Sequence, residues 1–229
     1  MSITAAVIGA GRMGSIVSRQ FPPDTKKMII DKDLAKASEL ARSIGGSFSN
    51  ALEDAKDADL IALVLPTPAV SETVEKLQVL VKKGAVIMNM ATTAKIDPAI
   101  LARNPEIFIV DTKIIGHAQS ISRGEPGIIV VKTENAEVLA FIKSQLIGFA
   151  DVVQGDADLV PVINTIGSIE GIKTAVAIRH QLRAMGIPDE WIHVVIRTVC
   201  AGTIKSFTEN DLGDFARELL RTLESENQK

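Results

Sequence analysis

The sequence predicts an α/β protein in which a doubly wound, mostly parallel sheet is followed by a small all-helical region. Short β-branched runs alternate with charge-rich stretches of helical periodicity in the first part of the chain, as in consecutive βαβ units. The runs Leu60–Leu65 and Val86–Met90 are apolar almost throughout, which is typical of central strands covered on both faces. From Asp156 onward no strand-like run remains.

The alternation places the sheet domain before about Gly155. The predicted strands are Thr4–Ile8, Lys27–Ile30, Leu60–Leu65, Ala85–Met90, Ile107–Val110, Gly127–Lys132 and Asp151–Gln154. The predicted helices between them lie near Met13–Phe21, Leu34–Ile44, Val70–Val81 and Glu137–Leu146. We therefore expect a sheet domain over residues 1–155 and a helical domain over residues 156–229.

The C-terminal region is predicted to form three helices, Asp158–Ala184, Asp189–Phe207 and Leu212–Leu223. A helical region of about seventy residues rarely completes a core alone. The middle helix carries more apolar side chains than one neighbour covers, namely Ile192, Val195, Ile196, Val199, Ile204 and Phe207. We expect a homodimer through these helices; the alternative is that they pack on the sheet domain of their own chain.

Composition excludes several classes of protein. The net charge of −3 leaves no excess of basic residues for nucleic acid or an anionic membrane. No apolar stretch is long enough to span a membrane, and the apolar start Ile3–Ile8 lacks the basic flank of a signal peptide, so we expect a cytoplasmic protein. The single cysteine, Cys200, excludes an internal disulfide, and three histidines without ligand spacing predict no metal site.

A glycine pattern, G-x-G-x-x-G, follows the first predicted strand and opens the first predicted helix. In this context the first glycine permits a tight turn, the second lets the backbone approach a pyrophosphate, and the third lets the helix pack against the strand. Free N–H groups at the start of the helix favour the phosphates. The pattern predicts a Rossmann domain that binds a nicotinamide dinucleotide. The residues expected to contact the cofactor here are Gly9, Ala10, Gly11, Arg12, Met13 and Gly14.

Asp31, at the end of the second predicted strand, indicates which dinucleotide is bound. A carboxylate at this position accepts hydrogen bonds from the ribose hydroxyls of the adenosine half and repels a 2′-phosphate, so NAD is favoured. Lys32 and Arg12 leave NADP open, because a nearby basic side chain can hold that phosphate.

Most of residues 4–155 resemble the β-hydroxyacid dehydrogenase family, which includes 6-phosphogluconate and 3-hydroxyisobutyrate dehydrogenases. Besides the glycine pattern, Val64–Val70 is similar to that family's Leu-Pro turn, and Asn89–Thr92 stands where the family has Asp-Met-Ser-Thr. The segment Val110–His117 matches its D-A-P-V-S-G-G substrate segment at the aspartate and one glycine. The resemblance implies cofactor contacts at Leu65, Pro66 and Thr67, and substrate contacts at Thr92 and Gly116.

The chain departs from that family at the catalytic position. The family has K-x-x-N-N on its first long helix, whereas Pro161–Thr165 reads P-V-I-N-T, so proline stands in place of the lysine and only the first asparagine survives, as Asn164. Hydroxyacid oxidation needs a general acid–base group, so the family's reaction is not implied unchanged.

The helical region resembles the dimerisation domain of pyrroline-5-carboxylate reductases at Asn164–Ser168, Gly186–Pro188 and Arg197–Lys205. That family reduces a cyclic imine without a catalytic lysine. Its S-G-S-G-P-A signature is only echoed in Ile166–Gly171, and its M-P-N-T-P signature is missing. The resemblance therefore does not imply pyrroline carboxylate as the substrate.

Substrate groups are expected beyond the carboxyl ends of the strands and on the first long helix. Asn164, Thr165 and Ser168 share one helix face. They either hold a substrate oxygen or nitrogen beside the nicotinamide or bond backbone carbonyls or a partner helix. Lys113 and His117 are expected after the strand that ends at Val110, where the lysine would pair with a carboxylate and the histidine would donate a proton near neutral pH. The catalytic candidates are His117, Asn164 and Lys113, and the substrate-binding candidates are Thr165, Ser168, Gly116 and Thr92.

These features predict an NAD(P)-dependent oxidoreductase that moves a hydride to or from a C–O or C–N centre of a small anionic metabolite. Two alternatives stay open. One is an imine reductase of the pyrroline-carboxylate type. The other is a non-catalytic dinucleotide-binding sensor or interaction protein, which the missing lysine favours.

Overall fold

A computed structural model describes residues 2–148 and 150–226 and confirms the predicted α/β class. The described strands form an eight-stranded sheet in the spatial order β3-β2-β1-β4-β5-β6-β7-β8. The first six follow the order of a dinucleotide-binding Rossmann sheet, and β7 and β8 extend one edge. The strands are β1 (Thr4–Ile8), β2 (Lys26–Ile30), β3 (Ser47–Ser49), β4 (Leu60–Leu63), β5 (Val86–Asn89), β6 (Phe108–Ile115), β7 (Gly127–Lys132) and β8 (Ala150–Gln154).

The helices connect the strands and continue after the last of them. They are α1 (Arg12–Val17), α2 (Leu34–Ile44), α3 (Thr67–Leu80), α4 (Pro98–Leu101), α5 (Ala118–Ser122), α6 (Ala136–Gln145), α7 (Val160–Ala184), α8 (Asp189–Val194), α9 (Ala201–Thr208) and α10 (Asp214–Glu226). A π-helical segment, Val195–Cys200, joins α8 to α9, so these elements correspond to the single predicted middle helix.

The sheet is covered on both faces, as its apolar strands predict. Along β1, Ala5 and Val7 face a core shared with α1, α2, α5 and α6, while Ala6 and Ile8 face a core shared with α3 and α4. This alternation is the period-2 pattern of a strand between two helical layers.

Strand β6 is longer than the predicted Ile107–Val110. Its first half, Phe108–Asp111, pairs in parallel with β5, whereas Asp111–Ile115 pairs antiparallel with β7. The β-branched residues after Asp111 therefore continue the strand instead of forming a loop. This correction moves Lys113 from the expected loop into the sheet.

Strand β3 and the helices α4 and α5 were not predicted from the sequence. Strand β3 has only three residues at the sheet edge, and α4 and α5 have four and five residues. Such segments are too short to display a period of 2.0 or 3.6 in the sequence.

The chain divides into two compact units, with the boundary between Thr165 and Ile166 inside α7. The first unit thus extends beyond the predicted limit of residue 155. The reason is that Ala157 and Val160 are buried against Val130 of β7. None of the helices in the described ranges is long and apolar enough to cross a membrane.

The second unit, considered by itself, has little core of its own. Among its described residues Ile192 and Leu212 are the buried hydrophobic ones. Large apolar side chains on α7, α8, the π-segment, α9 and α10 are exposed, among them Ile166, Ile169, Ile172, Trp191, Val199, Ile204, Phe207 and Phe215. The exposed set includes Val199, Ile204 and Phe207 of the predicted middle helix.

Candidate functional site

The glycine loop after β1 has a shape that only glycine permits at two positions. Gly9 has a φ of +110°, and its N–H donates to the carbonyl oxygen of Ile30 at 2.8 Å. A Cβ on Gly9 would overlap the carbonyl oxygen of Val64, and a Cβ on Gly14 would overlap that of Gly9. A Cβ on Gly11, by contrast, would meet open space. The backbone at Gly11 is therefore accessible, as a pyrophosphate requires.

Asp31 is held against this loop by backbone hydrogen bonds. One carboxylate oxygen accepts from the N–H of Ala10 at 2.7 Å, and the other accepts from the N–H of Asp33 at 2.9 Å. A carboxylate has about four acceptor positions, so about two remain for ribose hydroxyls. Asp31 thus has a structural role in the loop in addition to the predicted contact with ribose.

A cleft of about 780 Å³ adjoins the glycine loop between α1, α2 and α5. Arg12 of the glycine pattern lines it, together with Arg19 and Lys36. Lys36 pairs with Asp33 at 3.2 Å, while Lys32, the basic residue considered from the sequence, is exposed and does not line this cleft. Sequence reasoning missed Lys36, because a lysine one turn into a helix carries no distinguishing pattern.

The loops after β4 and β5 meet through two threonine hydroxyls. Thr67 lies at the start of α3, directly after Leu65 and Pro66, and its Oγ1 is 2.6 Å from Oγ1 of Thr93. Thr92, the residue suggested by the resemblance, is exposed beside this bond. The residue that joins the two loops is its neighbour Thr93, which the sequence did not single out.

A buried polar network lies where β5 and β6 pair. Asn89 is fully buried, and its Nδ2 donates to the carbonyl oxygen of Ala94 at 3.0 Å and to Oδ1 of Asp111 at 2.6 Å. Its Oδ1 is buried without a hydrogen-bond partner among the described residues. Buried unpaired acceptors are uncommon. The orientation of the Asn89 amide is therefore set by its two donor bonds, which leave the oxygen without a partner.

We expect Asn89→Asp, which restores the aspartate of the resembled family, to destabilise the protein by about 2–4 kcal/mol. A carboxylate cannot donate to Ala94 or Asp111, and it would place a second negative charge beside Asp111. The measurement is urea unfolding at neutral pH. The matched control is Asn135→Asp, because Asn135 caps α6 purely as an acceptor, from the N–H groups of Glu137 and Val138. Equal effects of the two variants would contradict this account.

Lys113 belongs to the same network. The residue is 3% exposed, and Nζ donates to the carbonyl oxygens of Ala91 at 2.5 Å and Ala94 at 3.0 Å. Nζ also lies 3.4 Å from Oδ1 of Asp111. Burial lowers the pKa of Lys113, and the charge of Asp111 offsets part of this effect. An ammonium has three N–H donors, so these contacts account for all of them.

Gly116 and His117 lie between β6 and α5, in the position expected from the sequence. Both residues are exposed. His117 precedes the first residue of α5, and its imidazole makes no capping hydrogen bond to that helix. The side chain is therefore accessible to solvent, and its role as a proton donor stays a prediction.

The structure places the helix candidates in different units. Asn164, in the first unit, donates from Nδ2 to the carbonyl oxygen of Ile114 at 2.8 Å, which ties the start of α7 to β6. This contact is the backbone bond that the sequence left as an alternative. Thr165 is exposed at the end of the first unit, and Ser168 is exposed on the part of α7 that belongs to the second.

The chain is similar in sequence to one family over its first part. A family model described as "NADP oxidoreductase coenzyme F420-dependent" matches residues 4–92, from β1 to the loop after β5. No curated protein sequence matches this chain.

Solved structures share the fold over most of the chain. A pyrroline-5-carboxylate reductase from Coxiella burnetii covers 100% of this chain, and the match covers 92% of that chain, at 14% identity and a TM-score of 0.74. An imine reductase variant from Myxococcus stipitatus in complex with NAD+ covers 92% of this chain, and the match covers 77% of that chain, at 22% identity and a TM-score of 0.58. The 3-hydroxyisobutyrate dehydrogenase of Mycobacterium tuberculosis covers 82% of this chain, and the match covers 67% of that chain, at 15% identity and a TM-score of 0.58.

These likenesses show the fold, a Rossmann sheet followed by a helical region. They also confirm the two resemblances recognised in the sequence, to 3-hydroxyisobutyrate dehydrogenases and to pyrroline-5-carboxylate reductases. At identities below one quarter they establish the architecture and leave the chemistry to the residues of the site.

Proposed function

We propose that this protein is an NAD(P)-dependent oxidoreductase that moves a hydride to or from a C–O or C–N centre of a small anionic metabolite. The observation that carries the proposal is the open backbone at Gly11 beside the fixed carboxylate of Asp31. One accepts a pyrophosphate and the other accepts ribose hydroxyls. The match of residues 4–92 to an NADP oxidoreductase model supports it. When bound, the nicotinamide supplies the hydride.

The site favours a C–N centre over a hydroxyacid. Oxidation of an alcohol needs a general base for the hydroxyl proton. Proline occupies the position of the resembled family's lysine at residue 161, and the N–H groups of Lys113 are all engaged. The exposed imidazole of His117 makes no capping hydrogen bond that would orient it as a base. When a hydride adds to the carbon of an iminium, the π electron pair of the C=N bond moves to the nitrogen. That nitrogen already carries its proton. Reduction of a cyclic imine that has already taken its proton from water, and is therefore an iminium, requires only positioning groups, and the imine reductase likeness supports this choice.

We include in the proposal a homodimer formed through the second unit. Its exposed apolar side chains on α7, α9 and α10 are more than a soluble monomer normally presents. A second copy of the same unit carries the same exposed apolar side chains and could cover them. We also place the protein in the cytoplasm, in keeping with its single cysteine.

The cofactor preference is tested by Asp31→Ser. We expect the wild-type protein to bind NADH more tightly than NADPH, and the variant to lose roughly tenfold of that preference, because it lacks the charge that repels a 2′-phosphate. Dissociation constants are measured by nicotinamide fluorescence. The matched control is Asp24→Ser, which makes the same charge change before the opposite end of β2 and should leave the ratio unchanged.

Three results would count against the proposal. If Asp31→Ser left the ratio of the NADH and NADPH dissociation constants unchanged, Asp31 would not be the residue that selects between them. If the wild-type protein bound neither NADH nor NADPH, the proposal that it is an oxidoreductase would be wrong. Tight NADH binding without consumption of NADH, across a panel of cyclic imines and keto acids, would favour the non-catalytic sensor.

A further inference from the structure

The loop after β5 is held from inside the sheet by one buried cation. Lys113 bonds the carbonyl oxygens of Ala91 and Ala94, the two ends of a four-residue segment that carries Thr92 and Thr93. Asn89 donates to the same Ala94 oxygen. The side chains of two neighbouring strands therefore fix one short loop at its backbone.

We propose that Lys113 is a positioning residue that sets the nicotinamide half of the dinucleotide site by fixing the loop Ala91–Ala94. In a sheet of this strand order the two halves of a dinucleotide lie on either side of the switch between β1 and β4. The half over β4 and β5 is the one that the loop after β5 borders. This inference rests on the proposed function, because it assumes that a nicotinamide dinucleotide occupies the site.

The same loop reaches the neighbouring cofactor loop through Thr93. Its hydroxyl is bonded to Thr67, which follows Leu65 and Pro66 at the carboxyl end of β4. A shift of the Ala91–Ala94 backbone would therefore move both loops. The effect of Lys113 reaches the segment that the sequence assigned to cofactor contact, although the ammonium itself is buried.

Loss of the ammonium cannot be compensated within the network. Without it the carbonyl oxygen of Ala91 keeps only the N–H of Ala94 at 3.3 Å, and the carbonyl oxygen of Ala94 keeps only the amide of Asn89, among the described residues. Both N–H groups of the Asn89 amide are already engaged, one with Ala94 and one with Asp111, so Asn89 has no spare donor to offer. Buried carbonyl oxygens that lose their bond to a charged donor favour a rearranged loop in which water replaces that donor. The expected consequence is a displaced loop within an otherwise folded sheet.

The test compares NADH with ADP-ribose, which has the adenosine and pyrophosphate but lacks the nicotinamide. In Lys113→Met we expect the dissociation constant of NADH to rise at least about tenfold, while that of ADP-ribose stays within about twofold of wild type. The change in nicotinamide emission on binding should also diminish. The matched control is Lys82→Met. Lys82 pairs with Asp59 at 2.6 Å and precedes β5, so it lies at the amino ends of the strands, opposite to the loop Ala91–Ala94. This variant should bind both ligands as the wild type does.

A second variant covers the case in which Lys113→Met does not fold. Asp111→Asn keeps an acceptor for Asn89 and removes only the charge that faces the ammonium. It should show the same split between the two ligands, with a smaller rise of about threefold for NADH. Equal losses for NADH and ADP-ribose, or none, in the folded variant would overturn the positioning role. If the wild-type protein binds neither ligand, the proposed function fails instead, so the two failures are distinguishable.

Discussion

Gly11→Ala is expected to weaken NADH binding by at least roughly 100-fold, or about 2.8 kcal/mol, without lowering the thermal midpoint. Gly11 has a φ of −74°, which alanine adopts readily, and an added methyl would meet no protein atom within 4 Å. The methyl would instead occupy the space through which the pyrophosphate approaches the backbone. Calorimetric titration with NADH and a thermal unfolding curve measure the two quantities separately.

Gly14→Ala is expected to differ from Gly11→Ala in its effect on stability. Its Cβ would overlap the carbonyl oxygen of Gly9, so this variant should lose stability as well as binding. Gly213→Ala is the neutral control, because a methyl there meets nothing and Gly213 lies far along the chain from the glycine loop. If Gly11→Ala bound NADH like the wild type, the glycine loop would not be a pyrophosphate site.

The second large effect is expected at the exposed face of α7. Ile169 is 46% exposed and Ile172 is 66% exposed, and both lie on one side of the helix with Ile166. We expect Ile169→Arg with Ile172→Arg to convert a dimer into monomers. Two unpaired charges buried in an apolar interface raise the dimer dissociation constant by at least roughly 100-fold. Analytical ultracentrifugation over a range of concentrations measures it.

Val79→Arg is the matched control for this change. Val79 is an aliphatic residue on α3 that is 84% exposed, and it belongs to the first unit. Its replacement should leave the dimer intact, because a single exposed aliphatic side chain needs no partner. A wild-type protein that sediments as a monomer would contradict the homodimer and would leave the apolar face of the second unit unexplained.

The sheet was predictable because its strands are buried on both faces. Runs such as Leu60–Leu65 are apolar at every position, and the glycine pattern between β1 and α1 indicates the topology around it. The helical region was predictable for a similar reason, since Gly186 and Pro188 mark a clear break between α7 and α8.

The interior of the site was less accessible to sequence reasoning. Lys113 reads as a loop charge until β6 is seen to continue to Ile115 through its pairing with β7. Asn89 and Thr93 act through partners that are distant in the chain, Asp111 and Thr67. A single sequence has no signal for such pairs, because periodicity reports the face on which a residue lies and not the residue that it meets.

The central claim is that the first unit binds a nicotinamide dinucleotide, and calorimetric titration of the full chain with NADH tests it most directly. The account predicts saturable binding of one NADH per chain at micromolar concentration, lost in Gly11→Ala. An absence of binding at millimolar NADH, in a protein that is folded by circular dichroism, would contradict it. The chain would then be a Rossmann-shaped interaction protein in which the open backbone at Gly11 serves another purpose.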